Sequence, residues 1–358
     1  MRQHRSVPRG NTAESTAELA ESTAELSLGN AHAQEQLRSR SAEESSASSA
    51  GAFQLLGQSF GSLQALHDWL LAERDRPGST VPHEPVLRVT VSPGATIHQR
   101  EQTTWTYYSP DQRLILDGQG AVISGRHNGR PTPGWWLSYR PVVESTQAAP
   151  AKANFEMRGL TIRGYESGGL EVSPQSGAGA EHAYDGGMTA FLEGALIEDN
   201  RFEQLGSKDT PYKQTDYAAG RFGAAGVLMR GVSGSTIADN VFEGLENAEV
   251  RGTPTGERLI HAVYARDRSC DNEIRGNTFK DVSGDPVRFS NASNDNQVSG
   301  NTSRNAGLST LVSEFYNSGP HRLEQDSTGN RVFNNDRGRA YGSRKKVTKT
   351  QEKHVHTR

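Results

Sequence analysis

The sequence predicts an all-β chain wound as a parallel β-helix, with a helix that caps its N-terminal end. Two observations lead to this prediction. A strand motif that ends in asparagine recurs along the second half of the 358 residues, and a second strand follows the motif at the same spacing. A solenoid, in which each coil stacks on the previous one, explains recurrences of this kind.

The asparagine motif recurs at a spacing close to one turn of a three-sided parallel helix. The stretches Asn272–Phe279 and Asn296–Ser303 are 24 residues apart, and residues 157–162 match more weakly. Asparagine tolerates the left-handed conformation of a turn, and its amide can bond the next amide in line. Leucine-rich repeats and propellers have other periods. The motif predicts a stack of Asn200, Asn240, Asn277, Asn301 and Asn335.

A second strand follows the asparagine motif. Residues 262–266 align with residues 286–290 and 310–314, again 24 apart. Alternation along a strand sends successive side chains to opposite faces. The residues predicted to point inward are Val263, Val287 and Leu311, and those predicted to point outward are Tyr264, Arg266, Arg288, Ser290, Val312 and Glu314.

The sequence divides into four predicted segments. Residues 1–50 have too few apolar side chains to offset ordering entropy, and we expect them to be disordered or transiently helical, with a leader or partner-docking segment as the alternative. Residues 51–112 form the cap, in which Ser62 is the N-cap of a helix. Residues 113–336 form the β-helix, and residues 337–358 form a basic, disordered tail whose functional alternative is weak contact with a polyanion. The apolar stripe of the cap helix is Leu63, Leu66, Trp69 and Leu70.

Two intervals between the asparagines, 40 and 37 residues long, exceed one coil. The excess is predicted in 203–222 and 244–259, with 164–188 as a third case, all at the corner that precedes the outward-facing strand. Insertions at one corner would form a wall beside one face of the solenoid. The sequence therefore predicts a groove.

The outward tyrosine, arginine and glutamate side chains suit the chemistry of uronic-acid polysaccharides. Removing the C5 proton of a uronate needs a neutralised carboxylate, for which arginine is the best residue, and an acid and a base. Arg288 and Arg266 could bind the carboxylate, while Tyr264 and His261 are candidates for proton transfer. Asp285 could fix the tautomer of His261. The predicted substrate-binding residues are Arg266, Arg230, Glu314, Lys213, Tyr217 and His182.

Each candidate also has a structural interpretation. Arg266 and Glu314 on neighbouring coils would form an ordinary ion pair, and His261 could be a buried corner histidine. Asp285 precedes a proline and could simply belong to a turn. Trp135–Trp136 could stack on sugars or pack in the core.

The run Arg113–Gly125 resembles the first full coil of many β-helix proteins. Together with the asparagine repeat, it makes residues 113–336 similar to the right-handed parallel β-helices of the pectin-lyase-like superfamily, which includes pectate lyases, C5-epimerases and polygalacturonases. The paired aspartates of polygalacturonases, which would indicate inverting hydrolysis, are missing. So are the Tyr-Gly-Phe-Asp-Pro-His segment of mannuronan epimerases and the acidic cluster of the pectate lyase calcium site. No cofactor is predicted, and calcium is possible but has no support in the sequence.

Charge and hydropathy restrict the possible partners. A net charge of -3 and a pI near 6.4 give no overall attraction to nucleic acid or anionic lipid. No apolar run is long enough to span a bilayer. The basic start Met1–Arg5 lacks the apolar stretch of a secretory signal, which predicts a cytoplasmic location. An acidic polysaccharide or a small molecule is the expected partner, and the oligomeric state is left open.

The predicted function is a β-elimination lyase or C5-epimerase that acts on a uronate-containing polysaccharide. Two alternatives belong to other classes. One is a cytosolic isomerase or cyclase of a small biosynthetic intermediate, for which a closed pocket is expected. The other is a non-catalytic binding or structural solenoid of the adhesin or tail-fibre type, for which a trimer or a flat face is expected.

Overall fold

A computed structural model describes most of the residues that follow residue 50. The described ranges are 51–175, 190–207, 224–247, 260–308, 310–317, 324–342 and 352–356. Within these ranges no helix is both long and apolar enough to cross a membrane. The candidate residues His182, Lys213 and Tyr217, and the segment 1–50, lie outside them.

Three sheets form the sides of the solenoid, and their strands pair in parallel except where β1 is involved. Sheet A contains β1 (Phe53–Leu55), β2 (Gln58–Phe60), β3 (Val86–Val91), β4 (Thr96–His98), β6 (Arg113–Ser124), β9 (Phe155–Arg163), β12 (Leu196–Glu198), β13 (Arg201–Glu203), β16 (Thr236–Ala238), β17 (Val241–Leu245), β19 (Glu273–Arg275), β20 (Thr278–Val282), β22 (Gln297–Ser299), β23 (Thr302–Ala306), β25 (Arg331–Phe333) and β26 (Asp336–Arg337). Sheet B contains β5 (Thr103–Trp105), β7 (Trp135–Tyr139), β10 (Gly168–Val172), β14 (Ala225–Arg230), β18 (His261–Arg266), β21 (Val287–Ser290), β24 (Val312–Asn317) and β27 (Glu352–His356). Sheet C contains β8 (Ala151–Lys152), β11 (Leu192–Glu193) and β15 (Val232–Ser233).

One helix, α1 (Leu63–Arg74), packs against the first strands, as predicted for a cap. The Ser62 hydroxyl accepts a hydrogen bond from the Ala65 amide at 3.1 Å, which satisfies one of the free N–H groups at the helix start. A short 3-10 turn, Val81–His83, follows. Three residues of the predicted apolar stripe, Leu63, Leu66 and Leu70, are buried in the solenoid core, and Trp69 is partly buried against it.

The asparagine stack is confirmed. The Asn277 side-chain amide donates to the Ile237 carbonyl at 2.9 Å and to Asn301 Oδ1 at 3.0 Å, and the same Oδ1 accepts from the Asn277 backbone amide at 2.9 Å. The stack begins at Asn200, which accepts from the Leu160 amide. The left-handed residue of the turn is the one before each asparagine, which corrects the prediction: Asp199, Asp239, Gly276, Gly300 and Asn334.

A second asparagine stack lies between sheets B and A. Asn272 donates to Asn296 Oδ1 at 2.9 Å, and Asn296 donates to Asn330 Oδ1 at 3.0 Å. Buried amide chains of this kind pair polar backbone groups that the turn would otherwise leave unsatisfied. Each regular coil is therefore pinned at two of its corners.

The core of sheet A contains a row of stacked aromatic rings. Phe202 and Phe242 lie 5.0 Å apart and nearly parallel, and Phe279 lies 5.6 Å from Phe242. In the next two coils the same inward register is occupied by Ser303 and then by Arg337. The aromatic row therefore ends two coils before the C-terminal end of sheet A.

Two of the three predicted insertions, 203–222 and 244–259, fall mostly on residues outside the described ranges. The third, predicted over 164–188 at the same corner, is wrong, because β10 (Gly168–Val172) lies inside that range and the extra residues follow it. The strand was not predicted because β10 begins with two glycines, and glycine has a low propensity for strands.

The solenoid extends beyond the range 113–336 in both directions. Strands β3, β4 and β5 already pair in parallel with the following coil. At the other end the Ala306 amide donates to the Arg339 carbonyl at 3.1 Å, and the Tyr341 amide donates to the Gly307 carbonyl at 2.8 Å. Strand β27 pairs with β24, so parts of the basic tail that the sequence predicted as disordered belong to the fold.

Candidate functional site

The candidate residues of sheet B lie on its outward face, in the predicted register for two coils. Tyr264 pairs with Arg288, and Arg266 pairs with Ser290. One coil earlier, Arg230 pairs with Arg266. Three arginines and a tyrosine therefore lie on adjacent strands of one surface.

Glu314 does not share this surface, which corrects the prediction. Val312, and not Leu311, pairs with Val287, so the coil is one residue longer than predicted and Phe315 lies beside Ser290. Glu314 consequently points into the solenoid, where it is 2% exposed and accepts from Asn330 at 2.9 Å. Leu311 and Val312 are both aliphatic, and alternation alone cannot choose between them.

His261 lies on the outward side although its sequence parity matches that of Val263. Both Ala262 and Val263 belong to the core, which breaks the alternation at the start of β18. The imidazole ring centre lies 5.4 Å from that of the Tyr264 ring. The histidine is only 1% exposed, so it lies beneath the surface that Tyr264 and Arg288 form.

The hydrogen bonds of His261 define its tautomer. Its Nδ1 lies 2.7 Å from the Asp285 carbonyl oxygen, which can only accept, so Nδ1 carries the proton. Its Nε2 then accepts from Nη1 of Arg288 at 3.1 Å. Burial, together with the positive charge of Arg288, holds the pKa of His261 well below its usual value. The ring is a neutral acceptor for a guanidinium.

Asp285 orients His261 through its backbone, whereas the sequence suggested its carboxylate. The Asp285 carboxylate is buried and accepts from the Leu308 amide of the next coil at 2.9 Å. This carboxylate stabilises a turn, as in the structural interpretation of the Asp-Pro pair. Its contacts do not bring it to the outward face of sheet B.

The Tyr264 hydroxyl lies at the centre of the polar surface. It is 3.0 Å from the Ser290 hydroxyl, and the Arg266 guanidinium lies 5.8 Å from the centre of the tyrosine ring. The Arg288 guanidinium lies over the Phe315 ring at 4.7 Å. Cation–π contacts of this kind orient a guanidinium without neutralising its charge.

A buried carboxylate, Asp267, links two of the arginines. Its Oδ2 lies 3.0 Å from Nε of Arg230 and of Arg266, and Asn291 donates to its Oδ1 at 2.8 Å. Burial alone would raise the pKa of Asp267, but the two guanidinium groups and Asn291 lower it below its usual value. Arg266 also lies 3.6 Å from Glu324. The predicted ion pair between Arg266 and Glu314 is replaced by these contacts.

Sequence reasoning missed three residues that shape this surface: Asp267, Phe315 and Glu324. Asp267 follows β18 directly and lies 24 residues before Asn291, a signal that the repeat could have provided. Phe315 was missed because the register of β24 was predicted one residue off. Glu324 follows directly on residues 318–323, which lie outside the described ranges.

The tryptophan pair separates into one core and one partly buried residue. Trp136 is buried, and its indole N–H lies 3.4 Å from Gln99 Oε1. Trp135 packs on Gly168, where an added Cβ would lie 2.3 Å from the tryptophan ring. The core interpretation holds for Trp136.

A second charged pair lies earlier on the outward face of sheet B. Arg140 holds the Glu171 carboxylate through two contacts of 2.9 and 3.0 Å, and the Ser138 hydroxyl donates to it at 2.8 Å. Both Glu171 and Ser138 are buried. These residues neutralise each other, whereas no carboxylate among the described residues pairs with Arg288 on the same face. In the described part of the molecule, no group of three or more His, Cys, Asp or Glu side chains is arranged to hold a metal ion.

The parallel coils, the stacked asparagines and the three-sided core define a β-helix protein. Residues 150–352, more than half of the sequence, match the family described as a right-handed β-helix region, and the chain belongs to that family. No curated protein and no solved structure matches it significantly.

Proposed function

We propose that the outward face of sheet B binds a uronate-containing polysaccharide and removes the C5 proton of one sugar, as a lyase or C5-epimerase does. The observation that supports this proposal is the set of side chains around Arg288. Its neighbours are a neutral histidine and an aromatic ring, and no carboxylate among the described residues pairs with it. A partly buried guanidinium in such a place is ready to bind a carboxylate of the substrate.

Arg266 and Arg230 extend the positive surface by one and two coils. Neighbouring strands lie about 4.8 Å apart, so Arg230 and Arg266 lie side by side, and Arg288 lies on the next strand, two residues back along it. Asp267 offsets only part of their charge. Several neighbouring guanidinium groups suit a polymer that carries a carboxylate on every sugar.

Tyr264 is the residue we assign to proton transfer. Its strand position is beside Arg288 in register, and its hydroxyl lies 3.0 Å from the hydroxyl of the buried Ser290. In β-elimination the C5 proton passes to the phenolate oxygen of Tyr264, a C4–C5 double bond forms, the C4–O4 bond breaks and O4 takes up a proton from water. In epimerisation a proton returns to C5 from the opposite face. Both reactions begin with the same step.

His261 acts on this step through Arg288. It is buried and both of its ring nitrogens are engaged, so we assign it a positioning role in place of the acid or base role that the sequence suggested. Its lone pair on Nε2 fixes one edge of the guanidinium, and Phe315 supports the face.

The test uses the full-length protein with polygalacturonate, polymannuronate and polyglucuronate in D₂O. Unsaturated product is followed by ultraviolet absorbance, and deuterium at C5 by NMR. We expect Tyr264→Phe and Arg288→Gln to remove either signal, and the matched surface variant Arg275→Gln on sheet A to keep it. Absence of both signals with every polymer would overturn the proposal, and binding without exchange would leave the non-catalytic alternative.

A further inference from the structure

The inward row of sheet A changes its chemistry at the C-terminal end. The phenylalanine stack is followed by Ser303, which is fully buried, and then by Arg337, which is partly exposed. A long charged side chain in this row gains nothing from core packing, since a buried guanidinium requires a partner. The arginine therefore calls for an explanation outside the core.

Arg337 opens onto a cleft of about 690 Å³ together with Arg304 and Arg339. Gly338 forms part of its floor, where an added Cβ would lie 2.3 Å from the Ser303 carbonyl oxygen. The lining is completed by Asn305, Asp336 and Gly342. The cleft lies on sheet A and the turns beside it, whereas the Tyr264 surface lies on sheet B.

The charge of this cleft is positive. Its lining holds a single carboxylate, Asp336, which lies 2.5 Å from Arg304. The two side chains are 63% and 52% exposed, respectively, and ion pairs in such surroundings contribute little. Neither Arg337 nor Arg339 pairs with a carboxylate in the described ranges. The lining therefore has a formal charge of about +2 before any ligand binds.

We infer that this cleft is a second anion-binding subsite, which takes oxyanion groups of an acidic polysaccharide. Planar guanidinium groups bind carboxylate and sulfate oxygens in pairs, and three of them in one cleft can hold neighbouring charges of a polymer. The choice of a polysaccharide rests on the proposed function, but the position of the subsite does not. The subsite would hold the polymer while the sheet B surface acts on it.

The experiment measures binding of a short uronate oligosaccharide to the full-length protein by calorimetry. The double variant Arg337→Gln/Arg339→Gln is compared with Arg130→Gln/Arg331→Gln, which removes the same charge from exposed positions outside the cleft. We expect the cleft variant to weaken binding at least tenfold, which corresponds to about 1.4 kcal/mol, because it removes two charged hydrogen-bond donors. The control should change binding less than twofold, and equal unfolding midpoints verify the folds.

Three outcomes overturn the inference. If oligosaccharide binding is weakened by Arg288→Gln but not by the double variant of the cleft, the cleft is not a subsite. Inorganic phosphate that binds at the cleft while the oligosaccharide does not identifies a site for a free anion. An oligonucleotide that displaces the oligosaccharide at equal charge concentration identifies a nucleic-acid surface.

Failure of the proposed function has a different signature. If no uronate polymer shows C5 exchange but oligosaccharide binding still depends on Arg337 and Arg339, the subsite stands and the proposed chemistry fails. If C5 exchange is normal, and oligosaccharide binding is unchanged both in Arg339→Gln and in the double variant, the proposed chemistry stands and the subsite fails.

Discussion

Nε2 of His261 accepts a hydrogen bond from the guanidinium of Arg288 at 3.1 Å, so a neutral imidazole lone pair faces a permanent cation. Protonation of this histidine would replace an attractive contact by two adjacent positive charges. It would also place a charge in a site that is only 1% exposed. The pair is therefore stable in one protonation state only.

Acid should destabilise the folded protein through this pair. The unfolded histidine takes up a proton near pH 6.5, whereas the lowered pKa of folded His261 prevents uptake, so its stability contribution is complete above pH 6.5 and declines below it. One proton corresponds to at most about 1.4 kcal/mol per pH unit. We expect His261→Asn to reduce the slope of the unfolding free energy between pH 7 and 5, measured with urea. The exposed control His127→Asn should leave the slope unchanged; equal slopes in all three proteins would contradict this account.

Asp267→Asn should lower stability and strengthen the binding of acidic ligands. The substitution removes the charge that balances Arg230 and Arg266, and breaking a buried ion pair costs about 3–5 kcal/mol. The same two guanidinium groups then become available to a uronate, so its dissociation constant should fall. Urea unfolding and calorimetry give the two values.

Asp239→Asn is the control for that substitution, because Asp239 is 53% exposed and lies 3.5 Å from Arg275 on sheet A. It should cost about 0.5 kcal/mol or less and leave ligand affinity unchanged. A loss of ligand affinity in Asp267→Asn would show that Asp267 orients the two arginines for the ligand, and would contradict the expectation that it competes with the ligand for them.

Asn277→Ala should be strongly destabilising. It leaves the Ile237 carbonyl and the Asn240 amide without their partners inside the core, and each unsatisfied group costs about 1–3 kcal/mol. Asn335→Ala at the partly exposed end of the stack should cost less, since water can replace its contacts. Unfolding free energies that are equal for the two variants would refute the structural role of the stack.

Gly226→Ala should be destabilising without any change of charge or polarity. An added Cβ would lie 2.7 Å from the Phe242 ring and 2.9 Å from the Ala262 carbonyl oxygen. Phe242 is fully buried between two rings, so it cannot move away easily. Overpacking of this kind costs about 1–3 kcal/mol. An unchanged unfolding midpoint in Gly226→Ala would contradict the tight contact.

The regular part of the fold was predictable because its period is visible in the sequence. The 24-residue coils place Tyr264 beside Arg288 and Arg266 beside Ser290, as expected. The stack of asparagines was predictable for the same reason. The second stack was also visible, since Asn272 and Asn296 have the same 24-residue spacing, but the prediction did not use it; the coil before Asn272 has Ser235 at that place.

The site was predictable only where alternation is unbroken. Two adjacent aliphatic residues, Leu311 and Val312, hid the extra residue that turns Glu314 inward. Ala262 and Val263 both face the core, which puts His261 on the outward side against its parity. Backbone acceptors such as the Asp285 carbonyl leave no signal in a sequence, so the orientation of His261 could not be predicted.

The buried ring of Trp105 and its neighbours beneath α1 has a spectroscopic consequence. All four tryptophans, at positions 69, 105, 135 and 136, belong to the N-terminal coils and their cap. In a solenoid each coil is stabilised mainly by its nearest neighbours, so the two ends can open separately. Intrinsic emission will report the opening of the capped end, while melting of the coils around Tyr264 will pass unseen unless circular dichroism is recorded on the same sample.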